Sequence, residues 1–338
     1  MSKIKIAVVG AGFVSQIAHL PSLSSNKSVK IVALCDVDKN LLNKVSKKHD
    51  VKSTYVSYID MISKEKIDGI VLSVNRSATS KIAKYIINKK IPLLSEKPAA
   101  LSYKEAKSLS DSSLKNKTKY VLGYMKRNDN GIIYLKKNLN KLKLGKLISV
   151  YYESFLGDSY NNPFEYFKHN QKNYKKLNSL NKNFKDKKNL YLKYLNTNCH
   201  CINLLRYLFG DLKIENKKFN LNGEGLAIFK NKLNSKIIFN NQYTPAKTWK
   251  EKIFLNYQFG KITVNLPTPL YKNASAKIFI ENYKNGNIIK PWIKSGWSFR
   301  NQINEFIKYI KGFKKNDSLC DAKKGVTDIK IIEDLFKK

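Results

Sequence analysis

Arginine is scarce in a chain that is otherwise strongly basic. Of its 64 Lys and Arg residues only Arg76, Arg127, Arg206 and Arg300 are arginine, against 25 acidic residues and a net charge of +39. Proteins selected to grip nucleic acid draw on arginine forks and gather charge on one face. Here lysine runs along the whole length beside many asparagines, so the charge reads as surface filling. Weak, salt-sensitive adhesion to polyanions follows, but no specific nucleic-acid partner is expected. A positive field also favours an anionic cofactor and a phosphorylated substrate.

Cysteine is equally sparse. Cys35, Cys199, Cys201 and Cys320 form no disulfide framework, which fits a reducing cytoplasm. Cys199-His200-Cys201 is too tightly spaced to close a tetrahedral zinc site, and no second pair completes one, so no metal is expected. Long apolar runs are missing too, which excludes a membrane span of about 20 residues. Met1 to Leu20 superficially resembles a leader peptide. Gly10 and Gly12 interrupt it, His19 follows, and no small-residue cleavage site stands out, so it reads as strand, turn and helix.

What is present is 338 residues at 42% hydrophobic content, enough for two domains. Up to about residue 123 short apolar runs alternate with helical periodicity. Strands are expected at Ile4–Val9, Val29–Cys35, Gly69–Val74, Pro92–Ser95 and Tyr120–Gly123, with helices between them. That alternation predicts a doubly wound parallel sheet, a Rossmann domain over residues 1–123. Beyond it the pattern changes. Leu147–Phe155 reads as a strand, residues 160–193 as a long Lys-, Asn- and Tyr-rich loop, and His200–Phe209 as a helix stopped by Gly210. Gly225–Phe229, Lys236–Tyr243, Lys250–Tyr257, Lys261–Leu266 and Ala276–Tyr283 then predict a mostly antiparallel sheet. Helices Ser298–Ile310 and Lys323–Phe336 close the chain. The fold class is α/β, with a second α/β domain over 124–338.

Two motifs carry chemistry. Gly10-Ala11-Gly12-Phe13-Val14-Ser15 is a GxGxxG-type turn with serine third. The first glycine permits the turn and the second lets a pyrophosphate approach the backbone, while a small third residue lets helix and strand pack closely. Helix N-terminal amides then hold the phosphates. Asp36 closes the second strand 21 residues after Ser15. Its carboxylate either binds ribose hydroxyls, which favours NAD over NADP, or merely caps the next turn. Lys39 keeps NADP open. The second motif is Glu96-Lys97-Pro98, directly after an apolar strand, where a lysine can serve as proton donor.

In series these motifs resemble the Gfo/Idh/MocA oxidoreductases, named for glucose–fructose oxidoreductase, inositol dehydrogenase and a rhizopine-catabolism protein. The resemblance runs through GAGFVS at 10–15, ALCDVD at 33–38, LSVN at 72–75, SEKPAA at 95–100, GYMKR at 123–127, LGKL at 144–147, HCINLLRYLFG at 200–210, the tryptophan-led strand at 249–257 and WSFRNQINEFIKYIKG at 297–312. It implies a second domain with a large, mostly antiparallel open sheet that often supports dimers or tetramers. It also implies that Lys97 hydrogen-bonds the reacting oxygen beside the nicotinamide, donating or relaying a proton. Glu96 and Pro98 fix that loop, with Glu96 near the cofactor. Asn75 joins Gly10, Gly12, Phe13, Val14 and Asp36 as a cofactor residue. His200 carries over as the second catalytic or substrate-orienting group, placed at a helix N-terminus that favours its neutral form.

The departures from the family pattern are specific. Asn196 stands where an aspartate usually precedes the histidine by four residues, and Asn203 where another follows it. KNLYLKYL at 188–195 replaces a glycine-rich approach, and Ala78 a histidine. Asn196 can orient a substrate but cannot exchange a proton at neutral pH. Three readings stay open: Lys97 and His200 move the proton unaided; Tyr124, Tyr191 or Tyr194 assists; or the protein is slow or inactive. Tyr124, Lys126 and Arg127 follow the last Rossmann strand as substrate- or cofactor-contact residues, with a domain-linking salt bridge as the alternative for Arg127 and Lys126. The expectation is an NAD(P)-dependent dehydrogenase or reductase acting on CH–OH groups of a sugar, cyclitol or nucleotide-sugar, with surface-polysaccharide synthesis as one setting. The rival is a dinucleotide-binding sensor or assembly protein of the same fold.

Overall fold

The computed structural model describes residues 2–157, 166–169, 188–220, 222–246 and 248–336. They fall into two compact units. Composition places a single change near residue 124, but the chain enters the first unit more than once. That unit holds residues up to Tyr124 and then takes in Tyr166–His169 and Phe299–Lys330. Most of the 160–193 loop expected from sequence lies outside the described residues.

In the first unit β1 (Ile4–Val9), β2 (Val29–Cys35), β3 (Ser53–Tyr55), β4 (Gly69–Leu72), β5 (Leu93–Ser95) and β6 (Tyr120–Leu122) pair in parallel in the order β6-β5-β4-β1-β2-β3. A two-residue strand, Cys320–Asp321, adds antiparallel to β6. Residues 6–9, 69–72, 93–95 and 120–122 are all buried, as continuous apolar runs require when helices cover both sheet faces. Val8, Leu34, Val71, Leu94 and Val121 form the core. The helix Ser298–Ile310 contributes Ile303, Phe306 and Ile307 to it, so the Rossmann core draws on residues far beyond 124. The order reverses at β1 and β4, and in sheets of this kind ligands bind beyond the carboxyl ends of the strands at that point.

The second unit is built on one sheet: β7 (Leu147–Leu156), β8 (Lys213–Phe219), β9 (Gly225–Lys230), β10 (Lys236–Tyr243), β11 (Trp249–Tyr257), β12 (Gly260–Leu266), β13 (Lys277–Asn282) and β14 (Ile288–Ile289). Their order is β14-β13-β12-β11-β7-β10-β9-β8. All neighbours are antiparallel except β7 and β10. The strands alternate: Val150, Tyr152, Ser154 and Leu156 of β7 are buried and the residues between them are partly exposed. Strand β8 (KIENKKF) and helix Asn130–Asn138 escape sequence reading because the first is a polar edge strand and the second is short.

One local expectation is overturned. His200 does not begin a helix. Residues 188–193 are α-helical, Tyr194–Asn198 form a π-helical turn, and Cys199–Phe209 continues from it without a break. Asn198, just before that last segment, is itself helical (φ −75°, ψ −15°) and makes no side-chain cap. The amides at residues 199–201 therefore belong to a running helix, and no exposed helix terminus acts on the His200 imidazole.

Candidate functional site

The first unit gathers its candidate residues at the carboxyl ends of the parallel strands. Gly10 leaves β1 with φ +97°, and a Cβ there would fall on the Ser73 carbonyl beyond β4, so only glycine fits. Ser15 Oγ donates to the Gly10 carbonyl at 2.5 Å, tying the third motif position back to the first. Asp36, at the end of β2, is 7% exposed. Its Oδ2 accepts the Ala11 N–H at 2.7 Å and its Oδ1 the Asp38 N–H at 2.9 Å. Asp36 thus pins the glycine turn and shapes the next one, so its capping and cofactor readings coexist: carboxylate lone pairs remain for a diol. Asp38 caps helix Lys39–Lys48 by accepting from the amides of Asn40 and Leu41.

These residues line a cleft of about 370 Å³, within the range of small-molecule sites. Gly10, Gly12, Phe13, Val14, Asp36 and Asn75 all border it. Asn75 also caps helix Arg76–Asn88 by accepting the Ser77 N–H at 3.2 Å. A glycine turn, a helix start and a carboxylate at the end of β2 fit a dinucleotide, with phosphates over the turn and a ribose at Asp36.

Glu96 and Lys97 follow β5 and do not border that cleft. The Lys97–Pro98 peptide is cis, and Lys97 is half-buried. Glu96 Oε1 accepts from His19 Nε2 at 2.9 Å and Oε2 from the Lys97 N–H at 3.3 Å. A carboxylate occupied in this way fixes the turn, the first of the two roles expected for Glu96.

The candidates between Tyr124 and Arg127 are deep. Tyr124, Lys126 and Arg127 are 1%, 6% and 2% exposed. In the second unit Lys126 Nζ donates to both Glu251 oxygens, at 2.5 and 2.6 Å. Tyr152 Oη and Cys201 Sγ donate to Glu251 Oε1, at 2.8 and 3.3 Å, and Trp249 Nε1 to Oε2 at 2.8 Å. Burial works against the Lys126 charge, but the Glu251 carboxylate outweighs it and holds the ammonium above its usual range. Burial would raise Glu251 as well, yet Lys126 and the donors around it hold the carboxyl below its usual range. Burial pushes the Cys201 thiol up to about 12. The Lys126 ammonium is therefore committed inside the second unit. Arg127 stacks its guanidinium on Tyr207, 4.3 Å from the ring centroid.

Asn196 lies in the π-helical turn and His200 one turn on, both half-buried and spaced to share a face of the same helical run. Tyr191 and Tyr194 are fully buried. Tyr194 Oη donates to the Gly223 carbonyl at 2.8 Å, and burial raises the phenol well above its ordinary value, so Tyr194 is spent on structure. No group of His, Cys, Asp and Glu among the described residues could hold a metal ion, the Cys199–Cys201 stretch included. No helix among them is long and apolar enough to cross a membrane.

Sequence reasoning missed three residues. Glu251 is an unremarked acid in a strand. His19 is a buried partner of Glu96. His169, far away in sequence, borders the dinucleotide cleft with Nε2 3.6 Å from Asp36 Oδ2 and Nδ1 3.6 Å from Asp38 Oδ2. Gln16 anchors that segment, accepting the Phe167 N–H at 2.8 Å and donating to its carbonyl at 2.9 Å. No local pattern advertises such a contact.

An open parallel sheet with this strand order, glycine turn and terminal carboxylate defines the first unit as a dinucleotide-binding Rossmann domain. Residues 4–124 match the GFO_IDH_MocA profile, described as an oxidoreductase family with an NAD-binding Rossmann fold. It is 24% identical over 151 residues to inositol 2-dehydrogenase of Salmonella typhimurium, covering 44% of this chain and 45% of that protein. It is 26% identical over 151 residues to the rhizopine catabolism protein MocA of Rhizobium meliloti, covering 44% and 46%. The chain thus spans about half the length of the curated relatives it matches. In fold it is similar over 99% of its length to 95% of a candidate NADPH-dependent oxidoreductase from Desulfitobacterium hafniense, with TM-score 0.81 and 11% identity. It is also similar to KijD10, a 3-ketoreductase from Actinomadura kijaniata solved with NADP and TDP-benzene. There the TM-score is 0.74 at 10% identity, covering 98% of this chain and 96% of that one.

Proposed function

We propose that the protein is an NAD(P)-dependent oxidoreductase interconverting a secondary alcohol and a ketone on a sugar, cyclitol or nucleotide-sugar. One observation carries the reading: Gly10, Asp36, Asn75 and Lys97 each follow the carboxyl end of a different parallel strand of one sheet, around its reversal point. A bound nicotinamide supplies the hydride acceptor or donor. Gly12 to Val14 hold the phosphates by backbone amides, the Gly10 and Ala11 amides being bonded to the Cys35 carbonyl and to Asp36, and Asp36 accepts from the ribose hydroxyls. Lys97 holds the proton of the reacting hydroxyl, a role typically worth about 10²- to 10⁴-fold in rate. His200 orients the substrate and shares the proton's transfer, and Asn196 hydrogen-bonds without exchanging one. Arg127, with its plane fixed on Tyr207, supports the substrate region, and so do Tyr124 and Lys126 from buried positions. Asp36 repels a 2′-phosphate, so NAD is the favoured cofactor. A cytoplasmic homodimer or homotetramer, associated through the half-exposed sheet face that carries Tyr151 and Phe254, completes the proposal.

The test is nicotinamide absorbance with a panel of polyols and nucleotide-sugars. Turnover should appear with at least one and fall by about 10²-fold or more in Lys97→Ala. Full activity in that variant would sink the role given to Lys97. Asn196, in place of a proton-exchanging carboxylate, favours a second reading, a dinucleotide-binding sensor. Tight NADH binding without turnover on any alcohol would select it.

A further inference from the structure

His19 is a buried imidazole that does not border the dinucleotide cleft. It closes the π-helical turn Ser15–His19, which follows directly from the glycine turn. Its ring is fully buried, with Phe299 edge-on at 6.0 Å. Nε2 lies 2.9 Å from Glu96 Oε1. An ionised carboxylate only accepts, so Nε2 carries the proton and donates it. Nδ1 is buried and has no hydrogen-bond partner among the described residues. A hydrocarbon of the same size would fill the space without an unmatched polar atom, so the gain must lie in the Nε2 bond. On its other side Glu96 Oε2 accepts the Lys97 N–H. Gly123 forms the wall: a Cβ there would stand 2.9 Å from Oε1 and 3.1 Å from Oε2. The Glu96 carboxylate is therefore held between the helix that follows the phosphate turn and the backbone of the candidate catalytic lysine.

We propose that His19 is a positioning residue that couples the dinucleotide-holding helix to the Lys97 turn. This rests on the oxidoreductase reading for its consequence but not for its geometry. The helix start that would receive the cofactor's phosphates and the imidazole that orients Glu96 belong to one helical run, which passes through the five-residue turn Ser15–His19. A π-helical turn at this place fits such a role, since these turns gather at functional sites. Seating of the cofactor then fixes Glu96, and Glu96 fixes the Lys97 backbone. Loss of the bond lets the turn drift, and a misplacement of about 1 Å can cost on the order of 10²-fold in rate.

The experiment compares His19→Leu, which keeps volume and removes the donor, with His19→Gln, which keeps a donor. His19→Leu should bind NADH within about threefold of wild type and keep the alcohol KM, while kcat falls about 10- to 100-fold. His19→Gln should recover most of that loss. Glu96→Gln made in the His19→Leu background should add little, because the two residues act as one unit. An unchanged kcat in His19→Leu, no recovery in His19→Gln, or losses that multiply would each overturn the proposal. If His19→Leu does not fold, His19→Asn, too short to reach Glu96, replaces it in the same comparison. A readout without turnover separates the two readings. The rate of Lys97 acetylation by acetic anhydride in the cofactor-free protein, mapped by peptide mass spectrometry, should change by about threefold or more in His19→Leu and return in His19→Gln. Should wild type turn over no alcohol, the oxidoreductase reading fails and the labelling still decides on His19; unchanged labelling overturns the coupling.

Discussion

The two units treat their polar side chains in opposite ways. In the first, Asp36, Asn75 and Ser15 bond chiefly to backbone amides and carbonyls, and Asp36 and Asn75 border an open cleft. In the second, Lys126, Tyr152, Cys201, Trp249 and Glu251 bond to one another out of water. The first arrangement shapes a turn and leaves lone pairs for a ligand. The second satisfies a buried charge so completely that little is left to offer. Substitutions should therefore damage binding in the first unit and folding in the second.

The largest effect is expected where that contrast is sharpest. Glu251→Ala strands a buried ammonium, which should cost about 3–5 kcal/mol, read as a lower urea midpoint. Replacing both partners, Lys126→Met with Glu251→Leu, should restore most of the loss. The pH dependence has a definite sign. Glu251 is lowered from 4.5, so its share of stability is present above that pH and is lost as pH falls through the depressed folded value. Lys126 is raised from 10.5, so its share is present below that pH and is lost as pH rises through the elevated folded value. Titration of the unfolding midpoint should show both limbs in wild type and neither in the double variant. A large loss of NADH affinity in Glu251→Ala at a temperature where it stays folded would break the comparison.

The next effect belongs to the first unit. Asp36→Ser removes the acceptor of the Ala11 amide and the repulsion of a 2′-phosphate. NAD affinity should fall about tenfold, about 1.4 kcal/mol, while the ratio of NADP to NAD affinity rises. Fluorescence titration with NADH and NADPH measures both, and an unaltered ratio would remove Asp36 from the ribose site. His169→Ala should act on the same titration more weakly, by a few-fold, because an imidazole 3.6 Å from each carboxylate lies beyond ordinary hydrogen-bond distance.

These differences also explain what could be read from the residues alone. The Rossmann half was legible because its signals are local: continuous apolar runs for buried parallel strands, a glycine where φ is positive, and a carboxylate at a strand end. The antiparallel strands of the second half showed in their alternation. The partnerships of Glu251 with Lys126, 125 residues apart, of His19 with Glu96, 77 apart, and of Gln16 with Phe167, 151 apart, are set by tertiary packing and leave no local pattern. The same blindness put His200 at a helix start. KNLYLKYL looks like a loop by its lysines and asparagines, yet the chain is helical from residue 188 onward and removes the free amides assumed there.

The smallest effect tests whether the second unit offers anything to catalysis besides a scaffold. Asn196→Asp places an ionisable carboxylate one turn before His200 on the same helical run. A neighbouring negative charge favours the imidazolium, so the group that His200 contributes to the pH profile of kcat/KM should titrate at higher pH than in wild type. If Lys97 holds the hydroxyl proton as proposed, the gain in kcat should be only a few-fold, because an added proton acceptor then speeds a step whose main partner is present. A profile that does not move would show that His200 takes no part in the proton's transfer. Turnover that appears in Asn196→Asp from a silent wild type would mean that the asparagine is what separates a dinucleotide sensor from an enzyme in this fold.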